Sequence, residues 1–173
     1  RRVAAVHVAA VEVDHGLIQR APDAHGGHEV RRHRVDGLSV KQVEEVLYKK
    51  SGLLGISGIS NDMRDLLASK EPAAKLAVEY FVYQTAKQIG ALAAALGGVD
   101  ALVFTAGIGE NSVELRHGIC EACAWLGVQV DDAANTNGGP RITTPASKVS
   151  AWVVPTNEEL MIARHTARLL NLD

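Results

Sequence analysis

The sequence is poor in the features that mark several classes of protein. A net charge of −2 at pH 7 gives no basic footprint for nucleic acid. No apolar run is long enough to span a bilayer, and no signal peptide is evident at the start. We therefore expect a soluble, cytoplasmic protein with neither nucleic acid nor membrane as a partner.

Cysteine is scarce, with two residues in 173. Cys120 and Cys123 form a single C-x-x-C, and neither a second pair nor a histidine at metal-binding spacing accompanies them. We interpret them as helical thiols packed against a sheet rather than as a zinc or redox site. His117 and His165 lie on predicted helices without partners, and we expect them at the surface or at its boundary with the core.

What is present fits an ordinary globular protein, with 47% apolar and 22% charged residues. Helical patterns cover 37–50, where Ser39 and Gln42 form a capping box, and 72–96, which Gly97-Gly98 closes. A polar stretch at 131–148 is typical of an exposed connection or hairpin. With strands near 101–105 and 149–154, the order predicts an α/β fold with at least two parallel strands.

The most informative segment is 101–112, an apolar strand followed by Gly107-Ile-Gly109 and a helix capped by Asn111 or Ser112. Glycines there can adopt positive φ and admit a ligand to the backbone. A strand, a glycine turn and a helix N-terminus also gather free N–H groups that attract anions. Such turns occur in many α/β proteins without binding anything, so the purely structural interpretation stays open.

A second junction of the same kind follows the strand at 149–154. Thr156 and Glu159 form a capping-box pattern, which predicts a helix at 157–170 with Glu158 in its first turn. Ligands of open α/β sheets gather at the carboxyl ends of strands, so we expect both loops at one edge of the sheet, sharing a cleft. The alternative is that Glu158 only complements the helix dipole.

Four segments together resemble the C-terminal part of acetate kinase, the enzyme that interconverts acetate and ATP with acetyl phosphate and ADP. They are Lys50-Ser-Gly-Leu-Leu-Gly-Ile-Ser-Gly-Ile-Ser-Asn-Asp-Met-Arg-Asp65, residues 95–112, Trp125-Leu-Gly-Val128 and Pro155-Thr-Asn-Glu-Glu-Leu-Met-Ile-Ala-Arg164. They occur in the family's order. The resemblance implies a partial actin-like ATPase, or ribonuclease H-like, domain in which helices flank parallel strands.

The resemblance also implies roles for matching positions. Glu158 matches a ligand of Mg²⁺ (or Mn²⁺), a cation that favours carboxylates and phosphates, while Asn157 and Glu159 match supporting positions. The nucleotide, ATP or ADP, is implied to meet Asp62, Met63, Arg64, Gly107, Ile108, Gly109, Glu110 and Asn111. No catalytic residue is assigned, because the family's phosphate loop, acetate pocket and catalytic arginine, aspartate and histidines have no match here. We therefore expect this polypeptide to be inactive alone.

Residues 1–36 are anomalous, and we assign 37–173 as the incomplete nucleotide-binding domain. The run from Arg1 to Val13 could form a strand, yet we expect 1–36 not to supply the strands that complete the sheet. Gly27-His-Glu-Val-Arg-Arg-His33 is compatible, after a shift of one nucleotide, with the family's Gly-Thr-Arg-Cys-Gly-Asp segment. This favours a frameshift. A divergent basic tail is the alternative, and a histidine metal site ranks last.

Three functions follow from these observations. The first is part of an acetate kinase, with propionate or butyrate kinase as the related parent activity; the family likeness implies a homodimer that uses acetate or acetyl phosphate. The second is a non-catalytic nucleotide-binding remnant. The third, an unrelated dinucleotide-binding oxidoreductase, ranks last because 107–112 lacks the third glycine of G-x-G-x-x-G.

Overall fold

A computed structural model describes residues 3–7 and 38–170. The chain divides into two compact units, which we call the helical unit (10–85) and the sheet unit (1–9 and 86–173). Among the described helices, none combines the length and the apolar character that crossing a bilayer requires.

The helical unit begins with α1 (Val40–Glu45), for which Ser39 and Gln42 form the predicted capping box. A π-helical turn (Val46–Lys50) leads to α2 (Gly52–Ser57). Gly58 ends α2 at φ 64°, a conformation that glycine adopts without strain. Next comes α3 (Met63–Ala68), capped by Asp62. The apolar stretch after Lys50, interrupted by glycines, is therefore a helix with a glycine stop.

The long helix α4 (Pro72–Leu96) has the bounds that its sequence pattern predicts. Proline suits the first helical position because its missing N–H would have no partner there. At the other end, Gly98 N–H donates to Ala93 O at 2.8 Å, the closure typical of a glycine-terminated helix. In the helical unit, Leu66, Ala74 and Ala77 form a buried cluster that Leu53, Ile56 and Val78 partly cover.

Among the described residues of the sheet unit, three parallel strands lie in the order β1 (Val3–His7), β2 (Ala101–Thr105) and β3 (Ser150–Val153). In the register, Leu102 is paired with Ala151 and Phe104 with Val153. All four side chains are buried, so they form one apolar face of the sheet. The predicted parallel pair is confirmed, whereas the expectation that residues 1–36 do not supply strands to the sheet is wrong, since β1 pairs with β2 along its length.

Further helices of the sheet unit are α5 (Ala106–Asn111), α6 (Val113–Ala122), the 3-10 turn Ala124–Leu126, α7 (Asp132–Thr136) and α8 (Glu158–Leu170). The stretch 131–148 is not exposed throughout, which corrects the prediction. Asn135, Ile142 and Thr143 are buried, and Ile142 N–H donates to Ala151 O at 2.9 Å. The polar composition of this stretch did not indicate that part of it packs beside β3.

Candidate functional site

The segment after β2 is a short helix rather than a tight glycine turn. Gly107 and Gly109 lie within α5, and the positive φ that the sequence suggested for them falls at Ala106 instead, at 60°. A Cβ on Gly109 would lie 3.2 Å from the backbone carbon of Phe104, so its glycine permits close packing of α5 on β2. A Cβ on Gly107 would meet nothing within 4 Å, which leaves the backbone there open to approach.

The carboxyl end of α5 is completed by side chains. The last carbonyls of a helix have no intrahelical partner. Ser112 N–H donates to Ile108 O at 3.0 Å, and the Arg116 guanidinium donates through Nη1 to Gly109 O at 3.0 Å and to Glu110 O at 2.7 Å. Arg116 therefore supplies hydrogen-bond donors to carbonyls that have no donor within the six-residue helix.

Arg116 itself is almost completely buried, at 1% exposure. It lies on α6, whose first turn is capped by the Ser112 hydroxyl, as one of the two predicted caps requires. Its Nε donates to Asn135 Oδ1 at 2.8 Å and its Nη2 to Asn135 O at 2.9 Å, and Asn135 Nδ2 donates to Val113 O. A buried cation is tolerated only with such partners. Arg116 and Asn135 thus join α5, α6 and α7.

The β3–α8 junction differs from the predicted capping box. Asn157 caps α8, because its Oδ1 accepts the Leu160 N–H at 2.9 Å. Thr156 instead donates from its backbone N–H and its hydroxyl to Glu110 Oε1, at 2.8 and 2.9 Å. This contact brings the loops after β2 and β3 to one edge of the sheet, as predicted. The non-local partner displaces the local cap.

The electrostatics of Glu110 follow from this contact. Hydrogen bonds from the backbone and then the hydroxyl of Thr156 lower the pKa of the Glu110 carboxyl below its usual value. The group is therefore ionised at neutral pH while it accepts both bonds. On the same helix, Asn111 Nδ2 donates to Gly107 O at 2.8 Å, so the Asn111 side chain stabilises α5 rather than capping the next helix.

Asp62 and Arg64 form a local pair in the helical unit. Asp62 Oδ1 caps α3 by accepting the Arg64 N–H at 2.8 Å, and both carboxylate oxygens accept bonds from the Arg64 guanidinium. These bonds lower the pKa of Asp62 to about 2 and raise that of Arg64. The Arg64 side chain is 89% exposed, so its fork is oriented but accessible. Met63, between them, is buried.

The predicted metal ligand is described only in part. The backbone of Glu158 begins α8, at the edge of the sheet where the two loops meet, and its side chain lies outside the described part of the structure. Within that described part, no three His, Cys, Asp or Glu side chains come together as a metal site.

The two thiols are buried and reduced, as predicted. Burial raises the pKa of Cys120 to about 12 and that of Cys123 to about 11, which disfavours the thiolate form at neutral pH. Cys123 lies just after α6 rather than within it. His117 is not without a partner, because its Nδ1 lies 2.8 Å from Asp132 Oδ1, whereas His165 is exposed as expected.

Arg116 and Asn135 are organising residues that the sequence did not indicate, and Thr156 was predicted only as a helix cap. An arginine at a position of helical spacing is ordinarily solvated, so nothing local indicated its burial.

Comparison with solved structures places this architecture among the actin-like ATPase folds. Porphyromonas gingivalis acetate kinase superposes with a TM-score of 0.71 at 39% identity, covering 87% of this chain and 39% of that chain. A propionate kinase from Francisella tularensis gives 0.70 at 38% identity, covering 83% and 38%. The fold is that of a partial domain of this class, as the resemblance implied.

A family model described as the acetokinase family matches residues 31–164. The chain therefore belongs to the acetokinase family. The acetate kinase of Rhodopseudomonas palustris (strain TIE-1) is 58% identical over 134 residues, which are 76% of this chain and 34% of that protein. That of Rhizobium meliloti is 55% identical over 135 residues, covering 78% and 34%. The chain spans about a third of the length of these curated relatives.

Proposed function

We propose that this chain is the C-terminal third of an acetate kinase, which transfers a phosphoryl group between ATP and acetate to give ADP and acetyl phosphate. The observation that carries the proposal is 58% identity over 134 residues to a curated acetate kinase. Phosphoryl transfer depends on positioning and on charge stabilisation around the phosphoryl group, so an enzyme can distribute these tasks over several segments.

In this proposal, residues 107–111 border the nucleoside part of ATP or ADP. Two features support it. The space beside Gly107 is open, so a ligand can approach the backbone there. The segment is also fixed in place by hydrogen bonds, because Arg116 donates to the carbonyls of Gly109 and Glu110. A preorganised wall loses little conformational entropy when a ligand binds.

Asp62, Met63 and Arg64 form the second proposed nucleotide segment. Buried Met63 anchors the segment, and the Asp62 carboxylate directs the guanidinium of Arg64. An exposed guanidinium can pair with phosphate oxygens or stack on a base. The proposed role of Asp62 is therefore orientation, and that of Arg64 is contact.

For the cation, we propose Glu158 as a single carboxylate ligand of Mg²⁺. Magnesium bound with a nucleotide retains waters and takes much of its coordination from phosphates, so one or two protein carboxylates suffice. The position of Glu158 at the start of α8 and at the ligand edge of the sheet is compatible with this role. When bound, the ion would neutralise charge on the phosphates.

A chimera tests the proposal. The N-terminal two thirds of the Rhodopseudomonas palustris enzyme would be joined to residues 37–173 of this chain, and acetyl phosphate would be trapped as its hydroxamate. We expect turnover within about tenfold of the parent enzyme, because the replaced part is closely similar. A folded chimera without turnover would contradict the proposal and favour the second candidate, a non-catalytic nucleotide-binding remnant.

Propionate kinase is the related activity that a specific observation supports, because a propionate kinase matches this chain almost as well as an acetate kinase does. The resemblance places the acyl pocket outside this chain, so the chimera would follow its donor's acyl preference. Rates with acetate, propionate and butyrate in the complete gene product decide between these parents.

A further inference from the structure

One carboxylate oxygen joins the two loops at the edge of the sheet. Glu110 Oε1 accepts two hydrogen bonds from Thr156, a residue 46 positions away, at 2.8 Å from the backbone N–H and 2.9 Å from the hydroxyl. Because Thr156 donates twice to the same oxygen, its position is fixed more tightly than by either hydrogen bond alone. We call this contact the Glu110–Thr156 clamp.

The Glu110 side of the clamp is held firmly. Arg116 Nη1 binds the Glu110 carbonyl at 2.7 Å, and the same guanidinium is fixed by two bonds to Asn135. Arg116 is buried, so its two bonds to Asn135 are shielded from water, while the bond to the Glu110 carbonyl is partly buried. Glu110 is therefore fixed through its backbone, and its carboxylate is directed across the edge of the sheet.

On the other side of the clamp, Thr156 lies two residues before Glu158, the proposed magnesium ligand. Asn157, the next residue, caps α8, and Glu158 is the first residue of that helix. Two residues of chain span at most about 7 Å, so fixing Thr156 restricts where α8 begins. A shift of about 1 Å in a ligand-bearing residue is enough to impair phosphoryl transfer.

We infer that Glu110 is a positioning residue whose carboxylate holds Thr156, and thereby the start of α8 with Glu158, beside the carboxyl end of β2. The inference rests on the proposed function, and it refines the role that the resemblance implies for Glu110. Oxygen Oε1 of the carboxylate is occupied by Thr156, and we assign the border with the nucleotide to the backbone of Glu110.

Two readouts test the clamp. In the chain 1–173, amide hydrogen exchange followed by NMR measures whether the Thr156 and Leu160 N–H groups are protected. In the chimera, the concentration of Mg²⁺ that gives half-maximal rate is measured separately from the KM for ATP at saturating Mg²⁺. Exchange is independent of activity, so an inactive chimera would count against the proposed function while the exchange data still decide on the clamp.

The variants separate the possible roles. Glu110→Ala should speed exchange at Thr156 and Leu160, and raise the half-saturating Mg²⁺ concentration, each by about tenfold. The KM for ATP should change less than about twofold, because no contact to the nucleotide is lost. Glu110→Gln retains an acceptor oxygen and should restore most of both effects. Thr156→Val removes the hydroxyl bond and should give an intermediate result.

The control is Glu121→Ala, an exposed acidic residue on α6 with the same loss of charge. It should leave exchange at Thr156 and the Mg²⁺ dependence unchanged. Unprotected Thr156 and Leu160 amides in the unaltered chain would overturn the inference. So would a Glu110→Ala variant that raises the KM for ATP but leaves exchange and Mg²⁺ dependence as they were, since that result identifies a nucleotide contact.

Discussion

Replacing Arg116 by methionine is the most severe single change that the site predicts. Methionine keeps the apolar stem and removes the guanidinium, which makes four hydrogen bonds to Gly109, Glu110 and Asn135. Three of these bonds are buried. Each buried acceptor that loses its donor costs about 1–3 kcal/mol. Water that enters beside Glu110 can bind the partly buried carbonyl there, so the total loss is smaller than four full penalties. We therefore expect Arg116→Met to lower the free energy of unfolding by about 3–5 kcal/mol.

Urea unfolding of the chain 1–173, followed by far-UV circular dichroism, measures this loss. Lys87→Met is the matched control, because Lys87 is exposed on α4 and its replacement should change stability by less than about 0.5 kcal/mol. The double variant Arg116→Met with Asn135→Ala should show a coupling of at least about 1 kcal/mol. If Arg116→Met unfolds at the same urea concentration as the unaltered chain, the assigned network does not stabilise the site.

Three further predictions concern single groups and the isolated chain. In an NMR titration, the Asp62 carboxyl should show a pKa near 2, and this pKa should return toward 3.8 in Arg64→Ala. The contribution of the ion pair to the stability of the fold is present above pH 3.8 and is lost as the pH falls through about 2. An ordinary pKa for Asp62 in the unaltered chain would refute the ion pair. Cys120 and Cys123 should react with a thiol reagent at pH 8 at least about a hundredfold more slowly than in urea, because burial raises both pKa values; rapid labelling of the folded chain would contradict this. The purified chain 1–173, free of host enzyme, should form no acetyl phosphate at saturating acetate and ATP, since it matches only about a third of the length of its relatives; measurable turnover would show that the third suffices.

The local rules of sequence were sufficient for much of the fold. The bounds of α4 follow from a proline start, helical spacing and a glycine stop, and they agree with the structure residue for residue. The capping box at Ser39 and Gln42 also formed as predicted. In both cases the decisive partners lie within a few positions of each other, so the pattern contains the interaction.

The same rules failed where a distant partner competes. Thr156 has the pattern of a cap for α8, yet it binds Glu110 while Asn157 caps the helix. Gly107 and Gly109 suggested a turn because isolated glycines disfavour helices, but packing against β2 and the bonds from Arg116 stabilise α5. Neither result follows from spacing, because each depends on groups that only the folded chain brings together.

For the candidate site, the sequence identified the two loops and their common edge, and the strands that bring them there are parallel as predicted. It did not identify the buried Arg116–Asn135 pair or the clamp. Burial of a charged side chain depends on satisfying every donor, which is a property of three-dimensional packing rather than of pattern. The assigned ligand roles remain predictions.

Turnover of the chimera carrying Glu158→Ala decides whether this chain holds the metal-binding part of a phosphotransferase. We predict a severe fall in kcat with the protein still folded, because the contribution of a first-turn glutamate to helix stability is only about 0.3–1 kcal/mol. Glu121→Ala, at an exposed acidic residue of α6, is the control and should retain most of the turnover. Near-normal kcat in Glu158→Ala, at limiting as well as saturating Mg²⁺, would contradict the proposal and leave Glu158 as a partner of the helix dipole.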